Sequence, residues 1–205
     1  MQRLSGIYAI LDGMLGSDLD ALLASVLAAG VRLVQYREKR GIDRLQLARL
    51  HRATSAAGAT LIVNDDLEAA LLADGVHLGQ EDLEGHDAGS LRARLGTRLL
   101  GISCSTVAEA RAAAQLGADY LGVGPYNATA TKGDAGPAIG AAGIARIAQA
   151  TVLPVAAIGG IGLADLAPVY AAGAKMAAIA SAIARAPEPQ KTAGDLVRCW
   201  QRLMA

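Results

Sequence analysis

One strand–helix–strand unit is complete in residues 31–64, VRLVQYREKRGIDRLQLARLHRATSAAGATLIVN. Its two ends, VRLVQYR (31–37) and TLIVN (60–64), are short apolar runs rich in β-branched residues, which is typical of strands. Between them the apolar residues recur at helical spacing, and Gly58 lies where the helix should stop, a position that favours a left-handed residue. The stretch therefore predicts two parallel strands joined by a helix.

The same alternation extends along the whole chain. Six further strand-like runs are GIYAIL (6–11), GVHLG (75–79), LLGISC (99–104), YLGVGP (120–125), VAAIGG (155–160) and MAAIAS (176–181). Eight such units predict an α/β fold, a single (β/α)8 TIM barrel over residues 1–205, with its active face at the carboxyl ends of the strands. A doubly wound open sheet is the alternative, but no GxGxxG follows the first strand.

The composition argues against several classes of partner. Hydrophobic residues make up 53% of the 205, enough for a full core, and 19 basic residues balance 19 acidic ones. The zero net charge gives no indication of a nucleic-acid or membrane partner. There is no bilayer-spanning apolar run or secretory segment, and Cys104 and Cys199 form no disulfide framework. We expect a soluble cytoplasmic protein, and the sequence leaves open whether it forms a homo-oligomer.

Strand 2 ends in a cationic segment, QYREK (35–39). With a period of two, Gln35, Arg37 and Lys39 share one face, while Tyr36 and Glu38 share the other. The first face begins apolar and becomes cationic towards its carboxyl end, as expected of an inward face that enters an anion site. A solvated charge run is an equally good interpretation of this segment taken alone.

Carboxylates follow strands 3 and 4. Asn64 and Asp65 come after strand 3, and Asp82 comes after strand 4. Because the ends of adjacent barrel strands are neighbours, Asp65 and Asp82 are predicted to face each other across the rim. Two hard oxygen ligands beside a cationic pocket indicate Mg²⁺ shared with a pyrophosphate. Asp66 and Asp87 precede helix-like segments and are interpreted instead as N-caps.

Strands 4 and 5 contribute further polar groups. Thr106 and Glu109 have the spacing of a capping box, which leaves Ser103 as the hydroxyl of strand 5 that is freer to meet a ligand. His77 lies inside GVHLG and is interpreted as a neutral, hydrogen-bonded core histidine, with ligand contact as the less favoured alternative.

The loops after strands 6, 7 and 8 complete a candidate site. The segment 126–140 is the longest loop and is predicted to be mobile over the active face. It carries TATK (129–132), whose hydroxyls and ammonium are suited to closing over anionic substrates. Gly160 after strand 7 and Ala180 and Ser181 after strand 8 lie where many barrels bind phosphate through backbone N–H groups. Tight packing is the alternative explanation for the glycines.

Taken together, these segments resemble the thiamine-phosphate synthase family. The matching segments occur in family order from about residue 7 to residue 183: IYAILD, QYREK, NDD, ADGVHLGQED, GISCST, GADYLGVGP, TATK, AIGGI and IASAI. The resemblance implies a transferase that joins 4-amino-2-methyl-5-(diphosphooxymethyl)pyrimidine to 4-methyl-5-(2-phosphooxyethyl)thiazole, or to its carboxylated form. The products are thiamine phosphate and pyrophosphate.

The resemblance also implies roles for individual residues. Catalysis is assigned to Arg37, Lys39, Ser103 and Lys132, and Mg²⁺ is assigned to Asp65 and Asp82. The residues implied in substrate binding are Gln35, Tyr36, Arg37, Glu38, Lys39, Asn64, Ser103, Thr129, Ala130, Thr131, Lys132, Gly160, Ala180 and Ser181. The interval between Asn64 and His77 is shorter than is usual in the family, which predicts a trimmed third helix.

Three other functions are weighed against this one. A thiazole tautomerase of the same barrel family would not need a complete set of pyrophosphate and metal ligands. A sugar-phosphate isomerase or epimerase would need a well-placed acid/base pair and leaves QYREK and TATK without a purpose. A non-catalytic binding protein would have no reason to place a cationic face opposite two carboxylates. Small-molecule substrates are therefore the expected partners.

Overall fold

Eight parallel strands form a closed barrel in the computed structural model, which describes residues 4–128 and 136–205. The strands are β1 (Gly6–Asp12), β2 (Leu33–Arg37), β3 (Thr60–Asn64), β4 (Gly75–Leu78), β5 (Leu99–Cys104), β6 (Tyr120–Val123), β7 (Val155–Ile158) and β8 (Met176–Ile179). Each strand pairs with the next, and β1 pairs with β8. The predicted (β/α)8 barrel is confirmed, and closure through β1 and β8 rules out the open sheet.

Strand bounds follow the sequence prediction closely. β3 and β5 have the predicted limits, whereas β2 begins later than predicted. β7 ends before the predicted limit because Gly159 and Gly160 leave the extended conformation, with φ angles of 104° and 63°. The carboxyl ends of the strands therefore turn into loops where the sequence places its polar groups.

The helices pack around the barrel. They are α1 (Leu19–Ala28), α2 (Arg44–Ala56), α3 (Ala88–Leu95), α4 (Val107–Gln115), α5 (Gly140–Gln149), α6 (Leu166–Ala171), α7 (Ser181–Ala184) and α8 (Pro189–Met204). Only a 3-10 turn, Ala69–Leu72, lies between β3 and β4, so the predicted trimming of the third helix is confirmed. No helix in the two described ranges is long and apolar enough to cross a membrane.

Strand side chains alternate between two cores. Outward-facing residues such as Val34 and Tyr36 pack against the helices in the larger apolar layer. Inward-facing residues form a smaller core inside the barrel: Tyr8, Ile10, Leu33, Ile62, Tyr120, Ala156, Met176 and Ala178. Because every second strand residue points inward, polar residues at the carboxyl ends of these inward faces open into the mouth of the barrel.

Side-chain caps start several helices as the sequence predicts. Asp87 and Thr106 accept hydrogen bonds from backbone N–H groups in the first turns of α3 and α4, and each is part of a capping box. The carboxylate of Asp66 accepts the backbone N–H groups of Glu68 and Ala69 at 2.9 and 2.8 Å. A cap of this kind stabilises by about 1 kcal/mol. The capping roles of Asp66 and Asp87 therefore explain these two carboxylates without a ligand.

Candidate active site

A cavity of about 570 Å³ opens at the carboxyl ends of the strands and is lined by residues from every strand of the barrel. It brings together the cationic end of β2, the acidic end of β3 and the loops after β7 and β8. The sequence-predicted residues that line it are Gln35, Arg37, Lys39, Asn64, Asp65, Ser103, Gly160, Ala180 and Ser181. A volume of this size is typical of a small-molecule site.

Arg37 is held at the cavity wall by Asp12. Asp12 ends β1 and is opposite Arg37 in the parallel register. Its Oδ2 accepts a hydrogen bond from Arg37 Nη1 at 2.5 Å, and its Oδ1 accepts one from the Met14 backbone N–H at 2.9 Å. Asp12 is only 2% exposed, so its charge is directed at the guanidinium. A guanidinium has five N–H donors, and pairing through Nη1 leaves others for an anion in the cavity.

A chain of hydrogen bonds crosses the floor of the cavity. Gln35 Nε2 donates to the Tyr8 hydroxyl at 2.8 Å, and the hydroxyls of Tyr8 and Tyr120 are 2.9 Å apart. The Tyr120 hydroxyl is 3.1 Å from Nδ1 of His77, whose Nε2 is 3.0 Å from Ser103 Oγ. Burial raises the pKa of Tyr8 and of Tyr120 above the ordinary range, which keeps both phenols protonated.

Glycines on β5 and β6 make room for this chain. Gly101 is opposite both His77 and Tyr120 in the barrel register. A Cβ on Gly101 would lie 2.2 Å from Tyr120 Cζ and 2.5 Å from His77 Nδ1, and a Cβ on Gly122 would lie 2.6 Å from His77 Cε1. His77 is a buried, hydrogen-bonded residue of the barrel interior, as predicted, and it also lines the cavity.

The carboxylates of Asp65 and Asp82, which we call the acidic corner, are positioned by different local structures after β3 and β4. The Asp65 backbone N–H donates to the His77 carbonyl at 2.9 Å, and Asp65 has a left-handed φ of 63°. Asp tolerates that conformation better than most residues do. Asp82 lies in a 3-10 turn after β4, and its Oδ2 accepts the Gly79 backbone N–H at 2.7 Å. Asp65 lines the cavity, whereas Asp82 is not among the lining residues.

No group of three or more His, Cys, Asp or Glu side chains suited to a metal occurs in residues 4–128 and 136–205. A bound metal at the acidic corner would therefore need ligands from the substrate or from water in addition to protein carboxylates.

The loop after β7 packs closely against the loop after β6. A Cβ on Gly159 would lie 2.6 Å from Pro125 Cα, and a Cβ on Gly160 would lie 3.0 Å from Asn127 Cβ. Tight packing therefore explains the need for glycine at both positions. Gly160 also lines the cavity. Both explanations for its glycine, tight packing and close approach of a ligand, are therefore compatible with its position.

Tyr36 and Glu38 lie outside the cavity. Tyr36 is 2% exposed and packs in the outer apolar layer. The Glu38 carboxylate lies against Gly13 in the connection after β1 and accepts the Arg40 backbone N–H at 3.1 Å. The predicted alternation along QYREK is confirmed, and the structure does not bring these two side chains to the other site residues.

The TATK segment, Thr129, Ala130, Thr131 and Lys132, lies outside the described residues. The chain on its carboxyl side returns to the cavity, where Gly136, Pro137 and Ile139 form part of the lining. The Ile139 backbone N–H donates to the Pro125 carbonyl at 2.8 Å, which fixes the base of the loop beside β6.

Sequence reasoning missed three side chains of the site: Asp12, Tyr8 and Tyr120. Tyr8 and Asp12 are four residues apart in IYAILD and share its inward face, because strand side chains alternate with a period of two. An aspartate at the end of so apolar a strand was a usable signal. Tyr120 gives a weaker signal, because a tyrosine in a buried strand is ordinary and its hydroxyl partners come from distant strands.

The fold and cavity define a (β/α)8-barrel enzyme with its active site at the carboxyl ends of the strands. Residues 7–183 match the family model for thiamine monophosphate synthase. The chain belongs to this family and is a transferase of thiamine biosynthesis.

Individual relatives agree with the family match. A thiamine-phosphate synthase from Geobacillus kaustophilus is 43% identical over 184 residues, covering 85% of this chain and 82% of the relative. The thiamine biosynthesis bifunctional protein ThiM/ThiE of Symbiobacterium thermophilum is 46% identical over 92% of this chain, which spans 39% of that longer protein. The solved thiamine phosphate pyrophosphorylase from Pyrococcus furiosus has a TM-score of 0.86 and 28% identity, covering 98% of this chain and 97% of that one.

Proposed function

We propose that this chain joins 4-amino-2-methyl-5-(diphosphooxymethyl)pyrimidine to 4-methyl-5-(2-phosphooxyethyl)thiazole, or to its carboxylated form, and releases pyrophosphate. One observation supports the proposal most directly. A single cavity is lined by Arg37 at the end of β2 and Lys39 just after it, by Asp65 after β3, and by Gly160 and Ser181 on the rim formed by β7 and β8. Two anionic substrates need two anion-binding regions within reach of each other, and we propose the cationic end of β2 and the rim formed by β7 and β8 as these regions.

The proposed chemistry needs little proton transfer. The thiazole nitrogen attacks the methylene carbon of the pyrimidine, and the carbon–oxygen bond to pyrophosphate breaks with its electron pair leaving on the oxygen. Neither event moves a proton, so a general base is not required. Negative charge develops on the departing pyrophosphate, and the work of the protein is therefore to bind that charge and align the two rings.

The cationic wall is suited to that charge. Arg37 at the end of β2, held in place by Asp12, and Lys39 two residues further on line the cavity, as does Ser103 on β5. Lys132, which lies outside the described residues, is proposed as a third cation. Loss of one such contact should cost about 3 kcal/mol of transition-state stabilisation, or roughly a hundredfold in rate.

The other proposed substrate contacts are divided between the same two regions of the cavity, the end of β2 and the rim formed by β7 and β8. Gln35 and Asn64 are proposed to bind the pyrimidine, together with the cationic wall. The thiazole phosphate is proposed to lie on the opposite region of the rim, against the residues Thr129, Thr131, Gly160, Ala180 and Ser181. Glycine at position 160 allows a phosphate oxygen to come close to the backbone, because no Cβ intervenes.

The acidic corner fits Mg²⁺ in its chemistry. Mg²⁺ is commonly bound by one or two carboxylates, with phosphate oxygens and water completing the octahedron. Asp65 lines the cavity, and Asp82 lies in the turn after β4, where its Oδ2 accepts the Gly79 N–H. We propose these two carboxylates as the protein ligands, and the ion, when bound, neutralises charge on the pyrophosphate.

The proposed cellular setting follows from the substrates and the thiols. Both partners are small molecules, and Cys104 and Cys199 are free cysteines, as is usual in a reducing compartment. We therefore propose a cytoplasmic enzyme in which one barrel domain carries the whole active site.

The deciding experiment is a direct synthesis assay. Purified protein is incubated with both substrates, with and without Mg²⁺, and thiamine phosphate is measured by chromatography. We expect product only with Mg²⁺, and we expect Arg37→Gln to lower the rate about a hundredfold. Arg49→Gln is the matched control, because Arg49 lies on the exposed face of α2, where it contacts Asp20 and Gln46 outside the cavity lining. No product while a known synthase is active in the same mixture would overturn the proposal, and isomerised thiazole without condensation would indicate a tautomerase.

A further inference from the structure

The hydrogen-bond chain between Gln35 and Ser103 can run in either of two directions, because of the three residues in its middle. Tyr8, Tyr120 and His77 can each both donate and accept, so the chain has two possible directions. We propose that bound pyrophosphate selects one direction and thereby orients the Gln35 amide to accept a hydrogen bond from the amino group of the pyrimidine. The inference rests on the proposed function for the identity of the substrate, and it makes Tyr8, Tyr120 and His77 positioning residues.

The direction follows from donor counts along the chain. If Ser103 donates its proton to a pyrophosphate oxygen, its Oγ is free to accept from Nε2–H of His77. A neutral imidazole has one N–H, so Nδ1 of His77 must then accept from the Tyr120 hydroxyl. With its proton used, Tyr120 accepts from Tyr8, and the Tyr8 oxygen accepts from Gln35 Nε2. Gln35 Oε1 is the group left to face the ligand as an acceptor.

The opposite direction is unfavourable with the pyrophosphate substrate bound. Ser103 would donate to His77 and would turn lone pairs, rather than a proton, toward an anionic oxygen. At the other end the Gln35 amide would reverse and present N–H groups to the N–H groups of the pyrimidine. Hydrogen bonds to ionised acceptors are stronger than neutral ones, so the pyrophosphate end determines the direction.

The middle of the chain is largely shielded from water. Tyr8 is 1% exposed, Tyr120 is fully buried and His77 is 7% exposed. The Tyr8 and Tyr120 rings meet edge to face with centroids 5.9 Å apart, and the space beside them is open only because Gly101 has no side chain. The raised pKa of each phenol keeps its proton available for donation. The two ends of the chain are therefore joined through groups that lie mostly out of contact with water.

The first test measures the direction itself. The protein has three histidines, so nitrogen-15 labelling of histidine gives a simple spectrum, and the His77 signals are identified by their loss in His77→Gln. With Mg²⁺ and inorganic pyrophosphate present, we expect the Nε2–H tautomer of His77. The Nδ1–H tautomer, or the doubly protonated ring, would overturn the proposal. This measurement needs no turnover, so it decides the direction even if the proposed synthesis fails.

The second test measures what the direction does. Dissociation constants are measured by calorimetry, with Mg²⁺ and without thiazole, for the aminopyrimidine pyrophosphate and for an analogue with oxygen in place of the amino group. Wild type should prefer the amino compound, and Tyr8→Phe or Tyr120→Phe should reduce that preference about tenfold, the effect of one hydrogen bond. Tyr170→Phe is the matched control, because Tyr170 packs on Trp200 outside the barrel interior.

The outcomes of the second test separate positioning from simple packing. A merely structural chain would weaken binding of both compounds by the same factor and leave their ratio unchanged, and that result would overturn the proposal. If wild type makes thiamine phosphate but shows no preference for the amino compound, the proposed function stands and the coupling fails. If either tyrosine variant does not fold, the His77 tautomer in the wild-type protein still decides the direction.

Discussion

Replacing Asp12 by asparagine removes the negative charge that holds Arg37 while changing the shape of the site very little. The side chains of Asp12 and Arg37 are 1% and 11% exposed. Removing one partner of a buried ion pair typically costs about 3–5 kcal/mol. Arg37 borders a cavity that admits water, so we expect a cost at or somewhat below the lower end of this range, about 2–3 kcal/mol. At about 2–4 °C per kcal/mol for a domain of this size, Tm should fall by about 4–12 °C.

The same change should reduce activity, because the guanidinium loses its anchor and must be reoriented by the substrate. We expect kcat/KM for the pyrimidine pyrophosphate to fall about ten- to a hundredfold. Added pyrophosphate supplies a replacement anion for Arg37, so it should narrow the difference in Tm between Asp12→Asn and wild type. Thermal unfolding and synthesis assays measure these effects on one preparation.

Asp20→Asn is the control for the Asp12 substitution. Asp20 pairs with Arg49 at the surface, where both side chains are about half exposed, 51% and 52%. Such pairs contribute about 0.5 kcal/mol or less, so Tm should change by about 2 °C at most. If Asp12→Asn were as stable and as active as Asp20→Asn, the pair would not hold Arg37, and the reasoning would be refuted.

The remaining predictions concern three other residues, Lys132, Cys104 and Gly101. Lys132→Ala should lower turnover about a hundredfold with little change in Tm. A large fall in Tm together with the loss of turnover would contradict a catalytic role. Burial, with a smaller effect of Glu109, raises the pKa of the Cys104 thiol from 9.0 to about 12, so alkylation at pH 9 followed by mass spectrometry should leave Cys104 unmodified. The folded state favours the neutral thiol, so its contribution to stability should be lost as pH rises from about 9 to about 12. Gly101→Ala should destabilise by about 1–3 kcal/mol in denaturant unfolding, because its Cβ would lie 2.2 Å from Tyr120 Cζ.

The local pattern of the chain predicts the barrel because each unit is encoded within a few tens of residues. The apolar runs, the glycines after helices and the caps at Asp87 and Thr106 are all local features, and the structure confirms them. The inward face of QYREK follows from the strand period alone. The local sequence does not predict whether that face is solvated or enters a cavity, because the answer depends on closure of the barrel through β1 and β8.

The contacts that complete the site could not be predicted locally, because they join distant parts of the chain. Tyr8 and Tyr120 are 112 positions apart in sequence, and Asp12 and Arg37 are 25 apart. One signal was available: a glycine inside a strand often marks a close approach of another group. Gly101, in the middle of LLGISC, marks the place where Tyr120 and His77 meet.

The tyrosines in the barrel interior show how stability and function are connected here. The chain has five tyrosines and no phenylalanine, so tyrosine at positions 8 and 120 does not by itself indicate a use for the hydroxyl. Their environment does, because a buried hydroxyl without a hydrogen-bond partner destabilises a protein by about 1–3 kcal/mol. Each phenol satisfies the other, and the remaining partners are Gln35 and His77. Tyrosines inside the barrel are therefore stable only if other polar side chains bind their hydroxyls. The chain of hydrogen bonds that results ends at Gln35 on β2 and at Ser103 on β5, and both side chains line the cavity.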